Sequence, residues 1–507
     1  MVDVDTNFDR IRRGVWVGPN AAKPYVEWND LSRVLTDLLK WARSPESREK
    51  FDEVMYDSLK SLLKAANNDV KNKVENLSKL TQRDVDTVTV TIIATANIIR
   101  LLRNSVINLP RNQFLQVKTG LLDCILDSVY FYHDVGTKCH RVKHKIPYVL
   151  TYTPLCIEVI RAALQLTSNL CVGNHAVQGA VWARLYPGMF NTLLNSIDKQ
   201  VKNYVCAILF HCTAWNGSAA LEEMMNGEEG KQMIRQCIGL IQPPNSLDWA
   251  QLFVEGLICV ERFTCVFEIC KDDNLVFTLL EVLSEKVKSA PSATKKQLFG
   301  ELESAVPVTT FLFLAKLFAK NRQHIIDLAT GVNVPEGEVT VRILHILAKV
   351  TGLFEHYTRI TNNTPFLECV VKILNEINTK KPIRFDQPKE EVTPDGSFAI
   401  RRELIRVITN MCSKNKAHQD KVRLLGGVHT VLNHCVVDQQ NPYLQQWCIV
   451  ALRMLMDDNQ ENQDIIRGLQ NQNIENNEAM KQLGIEVAKM DGDKPRVAVV
   501  HPTEPEN

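Results

Sequence analysis

The chain has 507 residues and carries 59 basic against 58 acidic side chains, a formal net charge of +1. This balance excludes the overall basic footprint of a nucleic-acid-binding protein. Hydrophobic residues make up 45% and charged residues 23%, an ordinary soluble composition. The length fits about three domains, or one helical solenoid whose core grows by stacking.

Met1 to Asp30 mixes Asp3, Asp5 and Asp9 with Arg10, Arg12 and Arg13, without the apolar stretch of a signal peptide. No run of about 18 apolar residues follows, so no membrane span is expected. Leu31 to Leu39, Val88 to Leu102, Leu155 to Leu170 and Val341 to Leu353 carry apolar side chains at helical spacing. Val85 to Ile93 could pass for a strand, but it runs into Ala94 to Leu102 and is read as helix. Phe311 to Phe318, broken by Lys316, predicts a buried helix. Three stretches read as loops or linkers: the acidic Gly217 to Gly230, the lysine-rich Ser284 to Pro307, and Asn378 to Phe398 with Pro382, Pro388 and Pro394. Asp491 to Asn507 reads as a disordered tail. The expected division is a solenoid over 1–385, a C-terminal domain over 386–490, and the tail over 491–507.

One pattern recurs. Asn169-Leu170-Cys171-Val172-Gly173-Asn174 is followed by Gln178, and Asn410-Met411-Cys412-Ser413-Lys414-Asn415 by Gln419. A copy without the opening asparagine runs from Met454 through Asn459 to Gln463, and Asn112-Gln113 resembles Asn462-Gln463. Asn415 and Asn459 are 44 residues apart, within the period of helical repeats. Around them the chain divides into Arg402 to Cys412, Ala417 to Leu425, Val428 to Cys435 and a helix running to Met456. Leu404, Ile405, Val407, Ile408 and Met411 form the buried stripe of the first. Asn415 is expected to end that helix in the left-handed conformation. Three helices per unit predict an all-α, armadillo-like right-handed solenoid. The segment 161–216 follows the same plan, with Trp215-Asn216 expected near the place of Asp458-Asn459.

The stretch Arg402-Glu403-Leu404-Ile405-Arg406-Val407-Ile408-Thr409-Asn410-Met411-Cys412 continues with Lys414-Asn415 and Gln419-Asp420-Lys421-Val422-Arg423. Gly427, Asn441-Pro442, Trp447 and Asn459 to Asp464 complete it. These residues, across roughly 395–490, closely resemble the C-terminal region of the ataxin-10 family. The resemblance implies a non-enzymatic cytoplasmic, perinuclear scaffold without cofactors, found at the centrosome, midbody or ciliary base. It implies roles in cytokinesis, neuron survival and neurite outgrowth, and stimulation of protein O-glycosylation. The partners it implies are the O-GlcNAc transferase, a G-protein beta subunit, mitotic kinases and a second copy of the chain.

Candidate protein-binding residues lie on the last helix of each repeat. Asn169 and Asn410 could grip the backbone of an extended peptide, or hold repeats in register, since buried polar groups generally find internal partners. Armadillo import receptors place a tryptophan one turn before such an asparagine; here Gln165 and Arg406 stand there. A transport receptor for peptide cargo is therefore the second reading, and Arg406 would repel a basic peptide. Trp447 is an interface anchor or a core filler, with its neighbours Cys448, Ile449 and Val450 favouring core. Arg453 is expected on the groove or on a solvated face. Cys139, His140 and His144 lack the further ligands of a zinc site, so Lys138 to Lys145 is read as a basic loop and no metal is expected. The 14 cysteines contain no C-x-x-C; Cys171, Cys206, Cys259, Cys265, Cys412 and Cys448 read as buried hydrophobes of a reducing cytosolic compartment. Walker, G-x-G-x-x-G, G-x-S-x-G and H-E-x-x-H patterns are absent.

Overall fold

A computed structural model describes residues 4–12, 28–75, 81–142, 151–213, 218–259, 261–288, 306–335, 337–353, 357–380, 398–435, 443–468, 485–489 and 495–499. The chain divides into two compact units, Met1–Val260 and Glu261–Asn507.

Unit 1 opens with α1 (Val4–Arg12) and α2 (Trp28–Trp41). Three-helix groups follow: α3 (Pro45–Glu49), α4 (Glu53–Val74) and α5 (Gln82–Ser105), then α6 (Pro110–Lys118), α7 (Leu121–Val142) and α8 (Tyr152–Cys171). Next come α9 (His175–Leu185), α10 (Gly188–Leu194) and α11 (Lys199–Thr213), and α12 (Ala219–Asn226), α13 (Glu228–Gly239) and α14 (Asp248–Cys259). The third helices form one continuous layer, with α2 against α5, α5 against α8, α8 against α11 and α11 against α14. Unit 2 begins with α15 (Phe263–Ile269), α16 (Asp273–Lys288), α17 (Val308–Lys320), α18 (Arg322–Thr330) and α19 (Gly337–Thr351). It continues with α20 (Thr358–Thr361), α21 (Thr364–Lys380), α22 (Phe398–Cys412), α23 (Lys416–Leu424), α24 (Gly427–Asn433), α25 (Leu444–Met456) and α26 (Gln460–Gly468). Its third-helix layer is α16, α19, α22 and α25. The expected all-α, armadillo-like plan is therefore present in both units.

The predicted stripe is the core. Leu404, Ile405, Val407 and Ile408 are fully buried, as are Phe311 and Phe318 of α17. By length and composition α5 could cross a membrane, with a mean hydropathy of 1.5 over its most apolar stretch. Its packing against α2, α4 and α8 buries most of that stretch and identifies it instead as a core helix. At the N-terminal end, Phe8 of α1 sits 4.9 Å from the Trp41 ring and 5.5 Å from Phe51. Arg12 Nε donates to Asp52 at 2.9 Å, so α1 covers the apolar end of the first group.

The recurring pattern is a corner between a third helix and the next first helix. Its asparagine does not take the left-handed conformation expected for Asn415. The residue before it does: Gly173, Lys414 and Asp458 have φ of 63°, 50° and 48°. The asparagine is instead an N-cap, its side-chain oxygen accepting from Val177 N, His418 N and Asn462 N, each at 3.2 Å. The glutamine then reaches back seven residues. Gln178 donates to Cys171 O at 2.8 Å, Gln419 to Cys412 O at 3.2 Å and Gln463 to Met456 O at 2.9 Å. These carbonyls belong to the orphan set at a helix C-terminus. Asn112 and Asn462 make the neighbouring bond, to Ser105 O at 2.8 Å and Leu455 O at 2.6 Å. In the fourth group Ser218 is the cap, accepting from Leu221 N at 3.3 Å. The cap thus lies two residues beyond Asn216, and Trp215-Asn216 fall outside the described residues.

Other expectations are revised. The acidic stretch 217–230 is helical in its described part: α12 and α13 meet at Gly227, and Gly230 lets the two backbones cross. A Cβ on Gly230 would lie 2.1 Å from Met224 O. Of Ser284 to Pro307, the first five residues belong to α16, and 289–305 lie outside the described residues. The compact division falls at 260 rather than near 385; α21 packs on α22 across residues 381–397, which are not described. The expected disordered tail over 491–507 contains a strand, because Pro495–Val499 pairs antiparallel with Ile485–Lys489, Val487 opposite Val497. That pairing supplies ladder partners for backbone groups at both segments.

Two outcomes are expected from these interiors. Asn459 is fully buried, and its amide also donates to Gln419 Oε1 at 3.1 Å and Asp420 at 2.9 Å. Asn459→Ala should cost about 2–3 kcal/mol in urea unfolding; a loss below about 0.5 kcal/mol would show that the corner carries no stability. His434 is fully buried, with Nε2 2.9 Å from Arg401 Nη1 and Nδ1 2.7 Å from Thr430 O. Arginine can only donate, so Nε2 accepts and the ring is held neutral. Burial pushes its pKa down to about 4, below the unfolded value, so the unfolded chain binds the proton more tightly. Stability is then complete above about pH 6.5 and falls by roughly 3 kcal/mol as pH drops toward 4. Melting curves of the native chain and His434→Gln across that window should converge in acid.

Candidate protein-binding face

Each third helix turns one face away from its own group, and the candidate residues lie there. On α22, Glu403 is 5% exposed. It accepts from Arg402 Nε at 3.1 Å and lies 3.4 Å from Arg406 Nη1. A buried carboxylate between two guanidinium groups is compensated. The Arg406 guanidinium lies 5.5 Å from the centre of the Trp447 ring on α25, within cation–π range. Trp447 is half-buried rather than core: Cys448 is fully buried, but Ile449 is only partly covered and Val450 is 40% exposed. Helical spacing sets Trp447, Val450 and the exposed Arg453 along one side of α25. Lysine and arginine also gather on α19. Arg342 pairs with Glu281 at 2.8 Å and stacks 4.7 Å from the Phe277 ring. Lys349 donates to Ser284 at 2.7 Å. His345, between these groups, has its pKa lowered chiefly by burial.

The two asparagines separate. Asn410 Nδ2 donates to Ala348 O at 3.0 Å and to Thr351 Oγ1 at 3.2 Å, stitching α22 to α19. Asn410 also borders a cleft of about 290 Å³ with Thr358, Asn362, Ser413, Lys414 and Asn415. Asn169 is partly exposed and its carboxamide makes no hydrogen bond among the described residues; only its backbone is held, by Gln113 Nε2 at 3.2 Å. Gln419 grips the Met454 carbonyl in the same way, at 2.8 Å. The position therefore repeats nine residues before each glutamine, at Asn169, Asn410 and Met454. The same count from Gln113 reaches Asn104, which sequence reasoning missed although Asn112-Gln113 carried the signal. Asn104 accepts from Arg103 Nε at 3.1 Å and Nη2 at 2.8 Å.

The stretch Lys138 to Val142 is the end of α7 rather than a loop, with Lys138 paired to Asp134 at 2.7 Å. Cys139 is fully buried with its thiol pushed up to about 11 by burial, while His140 is exposed. His144 lies outside the described residues. Among those described, no group of three or more histidine, cysteine or carboxylate side chains is placed to hold a metal. Cys171, Cys206, Cys259, Cys412 and Cys448 are buried as expected, whereas Cys265 is exposed on α15.

Comparison with known proteins adds to this geometry. Residues 400–498 match the family model for the Spinocerebellar ataxia type 10 protein domain. The chain is 27% identical to Ataxin-10 of Xenopus tropicalis over 409 residues, covering 78% of this chain and 79% of that protein. It is 26% identical to Ataxin-10 of Homo sapiens over 474 residues, covering 90% and 91%. An Ataxin-10 homolog of Dictyostelium discoideum is 45% identical over 93 residues, 18% of this chain and 15% of that protein. The resemblance to the ataxin-10 family is thereby established. Among solved structures, a designed armadillo repeat protein matches with 13% identity, covering 60% of this chain and all of the other, at a TM-score of 0.37. That likeness is too loose to add to the helix packing described above.

The contrast between the asparagines is measurable. Asn410→Ala should lower stability by about 1–2 kcal/mol, since Ala348 O and Thr351 lose a partner. Asn169→Ala should stay within about 0.5 kcal/mol of the native chain. Equal losses in urea titrations would refute the distinction.

Proposed function

We propose that this relative of ataxin-10 is a non-enzymatic scaffold that binds proteins along its third-helix faces. The observation that carries the reading is the half-buried Trp447 under the Arg406 guanidinium, 5.5 Å away, beside the 40% exposed Val450. An aromatic side chain fixed by an arginine, next to open apolar surface, has the make-up of an interface anchor. A stack of repeats presents many such contacts without much ordering cost on binding.

The finer proposal follows from the resemblance. It takes the partners to be the O-GlcNAc transferase, a G-protein beta subunit and mitotic kinases, with self-association. It places the protein in the cytoplasm, near the nucleus and at the centrosome, midbody or ciliary base. Cytokinesis, neuron survival, neurite outgrowth and stimulated O-glycosylation are the processes it would serve. The transport-receptor reading is disfavoured by Gln165 and Arg406 where a tryptophan would be needed.

The test is affinity capture from dividing cells with the full chain and with Trp447→Ala. Recovery of the glycosyltransferase, the beta subunit or a mitotic kinase by the native chain, lost on Trp447→Ala at an unchanged melting temperature, is the expected result. Loss of thermal stability with partner capture intact would return Trp447 to the core. Capture of transport machinery with basic cargo would replace the scaffold reading.

A further inference from the structure

Three arginines lie on the third-helix face of unit 1 at the meeting of α5 and α8, and two are neutralised. Arg100 of α5 pairs with Glu158 of α8 at 3.1 Å. Arg161 of α8 holds Asp198 through Nε at 2.9 Å. Arg103, between them, has only neutral partners: Asn104 Oδ1 at 3.1 and 2.8 Å, and Gln165 Oε1 at 2.6 Å. Among the described residues no carboxylate reaches it. The side chain is half-buried in the α5–α8 seam, and burial lowers its basicity, though an arginine stays charged. A partly desolvated cation without a counter-charge is costly, and amide oxygens offset that cost only in part.

One further group lies there. Asn169, one turn beyond Gln165 on α8, presents a carboxamide with no partner among the described residues, from a backbone held by Gln113. A free carboxamide offers a donor and an acceptor together, the complement of one extended peptide unit. A guanidinium without a counter-charge complements a carboxylate.

Resting on the scaffold reading, we propose that the α5–α8 seam of unit 1 holds an extended acidic segment of a partner protein, with one carboxylate on Arg103 and an adjacent peptide unit on Asn169. The flanking Glu158 and Asp198 favour a chain with spaced acidic side chains. They would repel a polyanion charged at every residue, such as a nucleic acid.

The test uses the full chain and a fluorescent, end-blocked decapeptide of alternating glutamate and serine, beside the same peptide with glutamine for glutamate. Anisotropy should show the glutamate peptide binding at least about tenfold tighter, less so at high salt. Arg103→Gln should erase that preference, while Arg467→Gln in α26 leaves it unchanged. If Arg103→Gln lowers the melting temperature, Asn169→Ala decides the matter, because that side chain has no described bonds to lose; it should weaken both peptides several-fold. Equal binding of the two peptides, binding of neither, indifference to both substitutions, or preference for a single-stranded oligothymidylate would each overturn the proposal. Capture of the proposed partners by Arg103→Gln as well as by the native chain would overturn it while leaving the scaffold reading intact.

Discussion

The structure depends on how a third helix hands over to the next group. Four carbonyls at a helix C-terminus have no partner within the helix, and the next helix begins with equally orphaned amides. One corner satisfies members of both sets. A residue at positive φ reverses the chain, an asparagine caps the incoming helix, and a glutamine returns to a carbonyl seven residues back, as Gln419 does to Cys412. Because these groups are buried, a missing partner would cost about as much as a lost hydrogen bond plus its desolvation. The corner is therefore both turn and clamp.

From that clamp the geometry of the outer face follows. Gln419 also donates to a carbonyl on the next third helix, at Met454, and Gln113 makes the equivalent bond at Asn169. These two bonds fix the register of α25 in unit 2 and α8 in unit 1, and Asn104 and Asn410 complete the row of equivalent sequence positions. What a given position in that row then does depends on its neighbours. Asn410 is consumed by Ala348 and Thr351, Asn104 by Arg103, and Asn169 by nothing described. Equivalent residues thus divide between holding the stack and facing outward.

Charge on these faces is handled locally. Glu403 is buried between Arg402 and Arg406, and Arg161 holds Asp198. Such pairs add little to stability when compared with apolar substitutes, but breaking one leaves an unpaired charge. They keep the faces polar without a net field, consistent with a chain of net charge +1, and they make the unmatched Arg103 stand out.

The sequence by itself determined most of the helical segments, where their apolar stripes lie and that one corner recurs. Leu404, Ile405, Val407 and Ile408 are spaced for a single face whatever packs against it. The C-terminal run from Arg402 to Arg423 also carried the family resemblance. Tertiary structure decided the rest. Local spacing could not show that Lys414 rather than Asn415 takes the left-handed conformation, because the carbonyl that needs Gln419 appears only once the next helix folds back. Nor could it show that 219–239 is helical on both sides of Gly227, since Gly230 reads as a breaker until Met224 crosses it closely. The fate of Asn410 was settled by Ala348, 62 residues away in the chain. Periodicity reports which face a residue occupies; the partner waiting on that face comes from another repeat.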